Sequence, residues 1–332
     1  MKNKIIILTF AAISFISCKE KANEELIVED NNKTAPTYAE ISVKDGGNWI
    51  EAERRYEGGE FKNISKLEVP ALHTDHSYFI RYEGPGWENS QIGYRIYLDW
   101  RNAIDIFGKK VDSLVLPQVG QDGFDSYHED APWGQDILKA GKSLGIGSYG
   151  RFVNDSVAHF REVENTFAEV VNSEGVSTVN IQYKGWKTGD VTTNLDSRLS
   201  IFPADRFTKA ELTTSSEIEG LCTGIVKFDD IPLLQKTSPS GNWKYIATYG
   251  TQTLVNDNDK LGMAIFYKTD EVQEEKEGPF DHLLIFKPTT NKITYYFLGA
   301  WEQEKNGIKN QAEFLADLDK KLVLLDEKGI LE

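Results

Sequence analysis

Three of the chain's five histidines, His73, His76 and His128, fall between Leu72 and Gly150, together with Trp87, Trp100, Trp133 and the alternating run Tyr94-Arg-Ile-Tyr-Leu-Asp-Trp-Arg101. As a strand, that run sends Tyr94, Ile96, Leu98 and Trp100 to one face and Arg95, Tyr97, Asp99 and Arg101 to the other. The second face offers two guanidinium groups, a phenol and a carboxylate, a set suited to holding a polar anionic ligand. Arg95 is the better ligand candidate, because Arg101 beside Asp99 can equally be a structural pair.

A second cluster, Gln121-Asp-Gly-Phe-Asp-Ser-Tyr-His-Glu-Asp130, crowds four carboxylates, a phenol and an imidazole into one short segment. Asp122, Asp125, His128 and Glu129 could ligate a divalent cation such as calcium, or Tyr127 and His128 could form an acid/base pair. A solvated acidic loop is the plain alternative. In a third cluster, read as a strand, His76, Tyr78, Ile80 and Tyr82 share one face. The chain then turns at Gly84-Pro-Gly86 and presents Trp87 and Glu88 on a loop, where Trp87 could stack on a sugar. Against that, His76 and Tyr78 can be half-buried sheet residues and Trp87 a cover for the core. No Gly-x-Ser-x-Gly elbow occurs, and Gly145-Ile-Gly-Ser-Tyr-Gly150 lacks the lysine of a phosphate loop.

The elements that must position these groups are mostly strands. Trp49–Glu53, Tyr78–Tyr82, Gly93–Trp100, Val176–Tyr183, Leu195–Phe202, Trp243–Tyr249, Gly262–Tyr267, His282–Phe286 and Ile293–Leu298 are short runs rich in β-branched and aromatic residues, separated by Gly, Pro, Asn and Asp. Pro288–Lys292 is expected to be a hairpin turn, and Asn256–Lys260 a hairpin connection rather than a calcium loop. Two helices are expected. One follows Asp130 and Pro132 and carries Trp133, Ile137, Leu138 and Leu144. The other starts at a capping-box-like Asn310 and Glu313 and runs along Phe314, Leu315, Leu318, Leu322 and Leu325 to Gly329. The fold class expected is mainly β: one large antiparallel β-sandwich, which could be mutarotase-like, with a few peripheral helices over residues 38–332.

The first residues bear on location. Met-Lys-Asn-Lys4 is basic, Ile5 to Ile16 is an apolar run too short to span a bilayer, and Ser17-Cys18 follows at once. This is the pattern of a lipoprotein signal over residues 1–17, with Cys18 lipidated and residues 18–37 a polar tether. The protein is then expected to be lipid-anchored to a bacterial membrane, the outer membrane facing the periplasm or the cell surface. With 37 basic and 52 acidic residues the formal charge is −15, and losing Lys2 and Lys4 with the leader makes it more negative. Nucleic acid is an unsuitable partner, and any anionic ligand must be drawn in by local cations. Cys222, the only other cysteine, has no partner for a disulfide or for a cysteine zinc site.

Four segments carry a resemblance: Glu83-Gly-Pro-Gly-Trp-Glu88, Gly93 to Lys109, Asp122-Gly-Phe-Asp-Ser-Tyr-His-Glu129 and Trp133-Gly-Gln-Asp-Ile-Leu-Lys139, with Leu261-Gly-Met-Ala-Ile-Phe-Tyr267 further on. In them the chain resembles a family of Bacteroidota polysaccharide-utilisation lipoproteins of formerly unknown function that includes an ulvan oligosaccharide dehydratase. The resemblance implies a carbon–oxygen lyase. It would remove water from a non-reducing-end uronic acid to leave an unsaturated uronyl group, with no organic cofactor.

Residue roles then follow from the chemistry. Abstracting the C5 proton of a uronate needs a neutralised C6 carboxylate, a base at C5 and an acid at the 4-hydroxyl. Arg95 or Arg101 fits the first role, His128 or His76 the second, and Tyr127, Tyr78 or Tyr97 the third. A cation held by Asp122, Asp125 and Glu129 could replace the arginine, and Trp87, Tyr97, Arg101 and Trp133 are the expected substrate contacts. A different class is a non-catalytic glycan-binding lipoprotein with Trp87, Trp133 and Trp186 as stacking platforms. A hydrolase using a carboxylate pair among Glu88, Asp99, Asp125 and Glu129 ranks below both. His159 lies outside these motifs and is expected to be inert.

Overall fold

Period-two alternation of buried and exposed side chains marks long strands such as Val191–Ile201, and among the described residues the paired strands are antiparallel. The computed structural model describes residues 37–121 and 126–332. The expected lipidation site Cys18 and the loop residues Asp122 and Asp125 therefore lie outside the described residues. The first seven strands are β1 (Thr37–Ile50), β2 (Arg55–Ile64), β3 (Lys66–Glu68), β4 (Gly86–Asn89), β5 (Ile92–Ile96), β6 (Ile104–Lys109) and β7 (Gly134–Asp136). Six of them form one sheet in the order β2-β1-β4-β5-β6-β7, while β3 edges a nine-stranded sheet made otherwise of strands between Asn165 and Trp301. A five-stranded sheet, centred on Leu221–Val226, completes the set. The described residues belong to one compact unit.

All three sheets contribute to a common core. Ala39, Ile41, Trp87, Tyr94, Ile96, Ile104 and Ile106 of the first sheet pack with Val179, Ile181, Leu195, Leu199, Ile265 and Phe297 of the second and Ile225 and Leu284 of the third. This is the large antiparallel β-sandwich that the strand pattern predicts. The far face of the nine-stranded sheet is covered at one end by helix α1 (Gln311–Lys328). Ala264 and Phe266, which alternate with Ile265, meet Phe314, Leu318, Leu322 and Leu325 there. Asn310 caps α1 by accepting the Glu313 N–H at 3.0 Å, and Gly329 ends it with φ 72°, as the sequence predicts.

The first sheet differs from an ordinary sandwich layer. Over β4, β5, β6 and the first half of β1 its outer face is not solvated but is roofed by residues 77–83 and by a segment around Leu116 and Tyr127. Between sheet and roof lie the ionisable groups.

Several expected elements are different. No helix follows Pro132: Ala131 and Gly134 form a tight bridge, and β7 continues to Asp136. Gly134, at φ 132°, lies so close to Gly108 that a Cβ would fall 1.8 Å from the Gly108 carbonyl oxygen, so the apolar spacing of Trp133, Ile137 and Leu138 serves an extended chain. Nor is Tyr78–Tyr82 a strand, because successive turns replace it, with Ser77 N donating to Thr74 O and Glu83 N to Ile80 O. Pro288–Lys292 joins strands of two different sheets and is no hairpin. Asn256–Lys260 does connect two paired strands, Trp243–Thr251 and Lys260–Lys268.

Candidate active site

The register of the first sheet sets Glu40, Gly86, Arg95 and Asp105 side by side across β1, β4, β5 and β6. The next row on the same face is Tyr38, Glu88, Gly93, Phe107 and Asp136. The alternate positions Trp87, Tyr94 and Ile106 face the core. One surface of the sheet thus carries four carboxylates and a guanidinium beneath a roof, which is costly unless each charge is paired. Glu40 is paired with Arg81 and accepts the Tyr82 hydroxyl at 2.6 Å. Glu88 meets Lys109 at 2.7 Å and accepts the Val115 and Leu116 N–H groups. Gly86 is small because Tyr82 crosses it: a Cβ would lie 2.9 Å from the Tyr82 hydroxyl.

Arg95 is the hub. Only 1% exposed, its Nη2 lies 3.0 Å from Asp105, 2.7 Å from Asp136 and 2.8 Å from the Tyr97 hydroxyl, and its Nη1 donates to the Tyr127 hydroxyl at 2.9 Å and to the Tyr82 carbonyl at 3.2 Å. Two carboxylates share this single guanidinium. Burial, and then Asp136 beside it, push the Asp105 carboxyl up to about 6. His128 stands at the edge of this group: its Nδ1 is 3.2 Å from Asp136 Oδ2, and its ring centroid is 4.4 Å from that of Tyr127. An imidazole oriented by a buried carboxylate is a recurrent general-base arrangement. Burial raises the Tyr127 phenol to about 12, against the opposing effect of Arg95, so Tyr127 keeps its proton at neutral pH.

A second cluster adjoins the hub through Tyr97. The Arg101 guanidinium lies 3.8 Å over the Tyr97 ring and is ringed by Asp75 at 3.0 Å, Glu83 at 2.9 Å and Asp99. His76 places Nδ1 2.6 Å from Asp75 and its backbone N–H 2.9 Å from Glu83. Asp75, His76 and Glu83 could each offer one ligand atom to a metal ion within 4.8 Å of one another, but Arg101 already supplies the cation there. The backbone is unusual in this stretch. His76, Tyr78, Tyr82 and Glu83 all have φ between 40° and 68°, a conformation that disfavours residues bearing a Cβ. Such strain persists only where surrounding bonds over-determine it, and it concentrates at functional sites. Below the turn His73 bonds Ser77 at 2.7 Å, and burial lowers its pKa to about 4, so it is neutral.

His76, Tyr78, Arg95, Tyr97, Arg101, Tyr127 and His128 are therefore gathered into one region. Some roles change. Arg95 is consumed by Asp105 and Asp136 and cannot also clamp a substrate carboxylate. Tyr97 is sealed beneath Arg101 and bonded to Asp105 at 2.5 Å, so neither substrate contact nor proton donation suits it. Arg101 is partly exposed but held by three carboxylates. Trp87 is fully buried, donates to Thr208 at 2.8 Å and stacks on Tyr94, while Glu88 is buried on β4 rather than displayed on a loop. Trp186 is buried against Phe160. Trp133 is half-buried, edge-on to Phe107. Glu129 is exposed, and its expected co-ligands Asp122 and Asp125 lie outside the described residues. His159, outside the sequence motifs, nevertheless lies beside this region, its Nδ1 facing the Arg101 carbonyl at 2.8 Å.

Asp105 and Asp136, missed in the sequence, are the partners that define the hub. The alternation of Ile104-Asp-Ile-Phe-Gly-Lys109 held a signal for Asp105, but its pairing with Arg95 depends on register. Asp281 is a further buried carboxyl outside the site, where its Oδ1 accepts the Leu144 N–H at 2.8 Å at the end of the loop that follows Asp136. Burial pushes it up to about 7. The folded state thus keeps a proton that the unfolded chain releases near pH 4, and stability falls as pH rises through the window from about 4 to 7. Asp281→Asn should flatten that slope, so denaturant midpoints of wild type and variant diverge in the variant's favour toward pH 7. Parallel curves would show that Asp281 does not titrate there.

The family model described as "Domain of unknown function (DUF4861)" matches residues 15–327. The chain belongs to this family. No curated protein matches it. Among solved structures it is similar to a TPR-domain containing protein from Parabacteroides distasonis ATCC 8503, at 6% identity and a TM-score of 0.36, covering 81% of this chain and 55% of that one. It therefore spans only about half the length of that relative. It is also similar to a "putative aldose 1-epimerase" from Klebsiella pneumoniae subsp. pneumoniae MGH 78578, at 7% identity and a TM-score of 0.29, covering 86% and 95%.

Proposed function

We propose that this DUF4861 protein is a carbon–oxygen lyase that dehydrates the non-reducing-end uronic acid of ulvan oligosaccharides. The observation that carries the reading is His128, with Nδ1 on buried Asp136 and its ring against Tyr127, whose hydroxyl accepts from Arg95. With Nδ1 directed to Asp136, Nε2 is the nitrogen to take the C5 proton, and Asp136 stabilises the imidazolium that forms. Burial keeps the proton on the Tyr127 phenol, and Arg95, donating to the phenol oxygen, stabilises the phenolate as that proton passes to the departing 4-hydroxyl. The C5–H bond breaks toward His128, the C4–O bond breaks, water leaves with the tyrosine proton, and the electron pair becomes the C4–C5 double bond. Tyr78 is the alternative acid, and the Asp75–His76 pair the alternative base.

The resemblance of Glu83–Glu88, Gly93–Lys109 and Trp133–Lys139 to the Bacteroidota polysaccharide-utilisation lipoproteins, a family that includes an ulvan oligosaccharide dehydratase, supports the substrate class, an anionic oligosaccharide. It also supports anchorage by lipid at Cys18 in a bacterial outer membrane; Cys18→Ala should abolish incorporation of labelled fatty acid. Among the described residues no helix is long and apolar enough to cross a membrane. Saturated uronyl–rhamnose–sulfate oligosaccharides incubated with the protein should yield a product lighter by one water that absorbs as an unsaturated uronate. Unchanged mass with retained binding would instead indicate a glycan-binding lipoprotein, although burial of Trp87 and Trp186 removes two of its three platforms. Release of a saturated monosaccharide would indicate a hydrolase.

A further inference from the structure

Dehydration leaves one requirement that neither arginine of the network meets: a cation for the substrate carboxylate. Arg95 faces two carboxylates and Arg101 three. Beside Tyr127 and Tyr78 a cavity of about 300 Å³ opens, lined also by Lys44, Tyr56, Phe61 and Gln121 and by no carboxylate among the described residues. Its size suits one sugar ring, and its aromatic walls suit the apolar faces of that ring.

Lys44 is the cavity's cation. Its Nζ donates to the Gly59 carbonyl at 3.1 Å and lies 4.2 Å over the Phe61 ring, neither of which carries a negative charge. Neighbouring Asp45 points to the opposite face of β1 and meets Lys62. In a chain of net charge −15, a half-buried ammonium without a carboxylate partner among the described residues attracts anions locally. The backbone fixes its place: Lys44 pairs with Phe61 across β1 and β2, and its N–H donates to the Phe79 carbonyl at 2.9 Å. The strained turn bearing Tyr78 is thereby tied to the strand bearing Lys44.

We infer that Lys44 binds the carboxylate of a single terminal hexuronate seated in this cavity, between Tyr78 and Tyr127. The inference rests on the uronate dehydratase reading but is tested apart from it. By calorimetry, methyl glucuronoside should bind the wild-type protein about 10- to 100-fold more tightly than methyl glucoside, the range expected for a charge-assisted contact. Lys44→Met should abolish that preference, while Lys62→Met should keep it. The methyl ester of the glucuronoside should bind wild type no better than the glucoside, a test that needs no variant to fold. Equal binding of acid and ester, or an undiminished preference in Lys44→Met, overturns the inference even if dehydration is observed. A preference that depends on Lys44 without any unsaturated product upholds the site and removes the lyase reading.

Discussion

Arg95→Met should destabilise the protein by about 3–5 kcal/mol, the cost of breaking a buried ion pair by removing one partner. The substitution keeps roughly the volume and leaves Asp105 and Asp136 beneath the roof with no guanidinium between them. Tyr97, Tyr127 and the Tyr82 carbonyl lose a donor in the same step. Arg95→Lys should also destabilise, because an ammonium lacks the planar fork that serves all five acceptors. Adding Asp105→Asn and Asp136→Asn to Arg95→Met should recover part of the loss, since the uncompensated charges go with their partner. Denaturant midpoints of the three variants provide the check. A loss below about 1 kcal/mol for Arg95→Met would mean that the two carboxylates find other partners.

His128→Ala should lower turnover by about 10²- to 10⁴-fold, the usual contribution of a positioned acid or base, while leaving substrate binding measurable. Stability should hardly change, because the His128 side chain is 37% exposed and Asp136, which it faces, keeps Arg95. Steady-state kinetics together with thermal unfolding separates this outcome from a folding defect. If His76→Ala is inactive and His128→Ala retains normal turnover, the base is His76 on Asp75.

Where the chemistry of these variants can be seen in the sequence, it is because local periodicity governs it. The alternation from Tyr94 to Tyr97 correctly separates core from polar face, since β5 is a regular strand up to Ile96. Helix α1 is legible in full because capping by Asn310 and the stop at Gly329 depend on neighbours in sequence. Other features are set by remote contacts. Ile137 and Leu138 carry a helical spacing, but Gly134 must approach Gly108 closely, and the backbone of β6 decides the conformation. The positive φ angles at His76, Tyr78, Tyr82 and Glu83 have no signature in residues that bear a Cβ. Trp87 reads as an exposed platform after Gly84-Pro-Gly86, yet β4 is central in its sheet and the indole turns to the core. Asp136 lies 41 positions from Arg95, so only the fold joins them.

The most direct measurement follows a deuterium placed at C5 of the terminal uronate of an otherwise saturated sulfated oligosaccharide. The reaction should be slowed and its product unsaturated, having lost the C5 deuterium together with the 4-hydroxyl (a net loss of HDO), with the slowing preserved in the residual turnover of His128→Ala. A product that retains the C5 deuterium would contradict this mechanism, because the proton assigned to His128 would never have been removed.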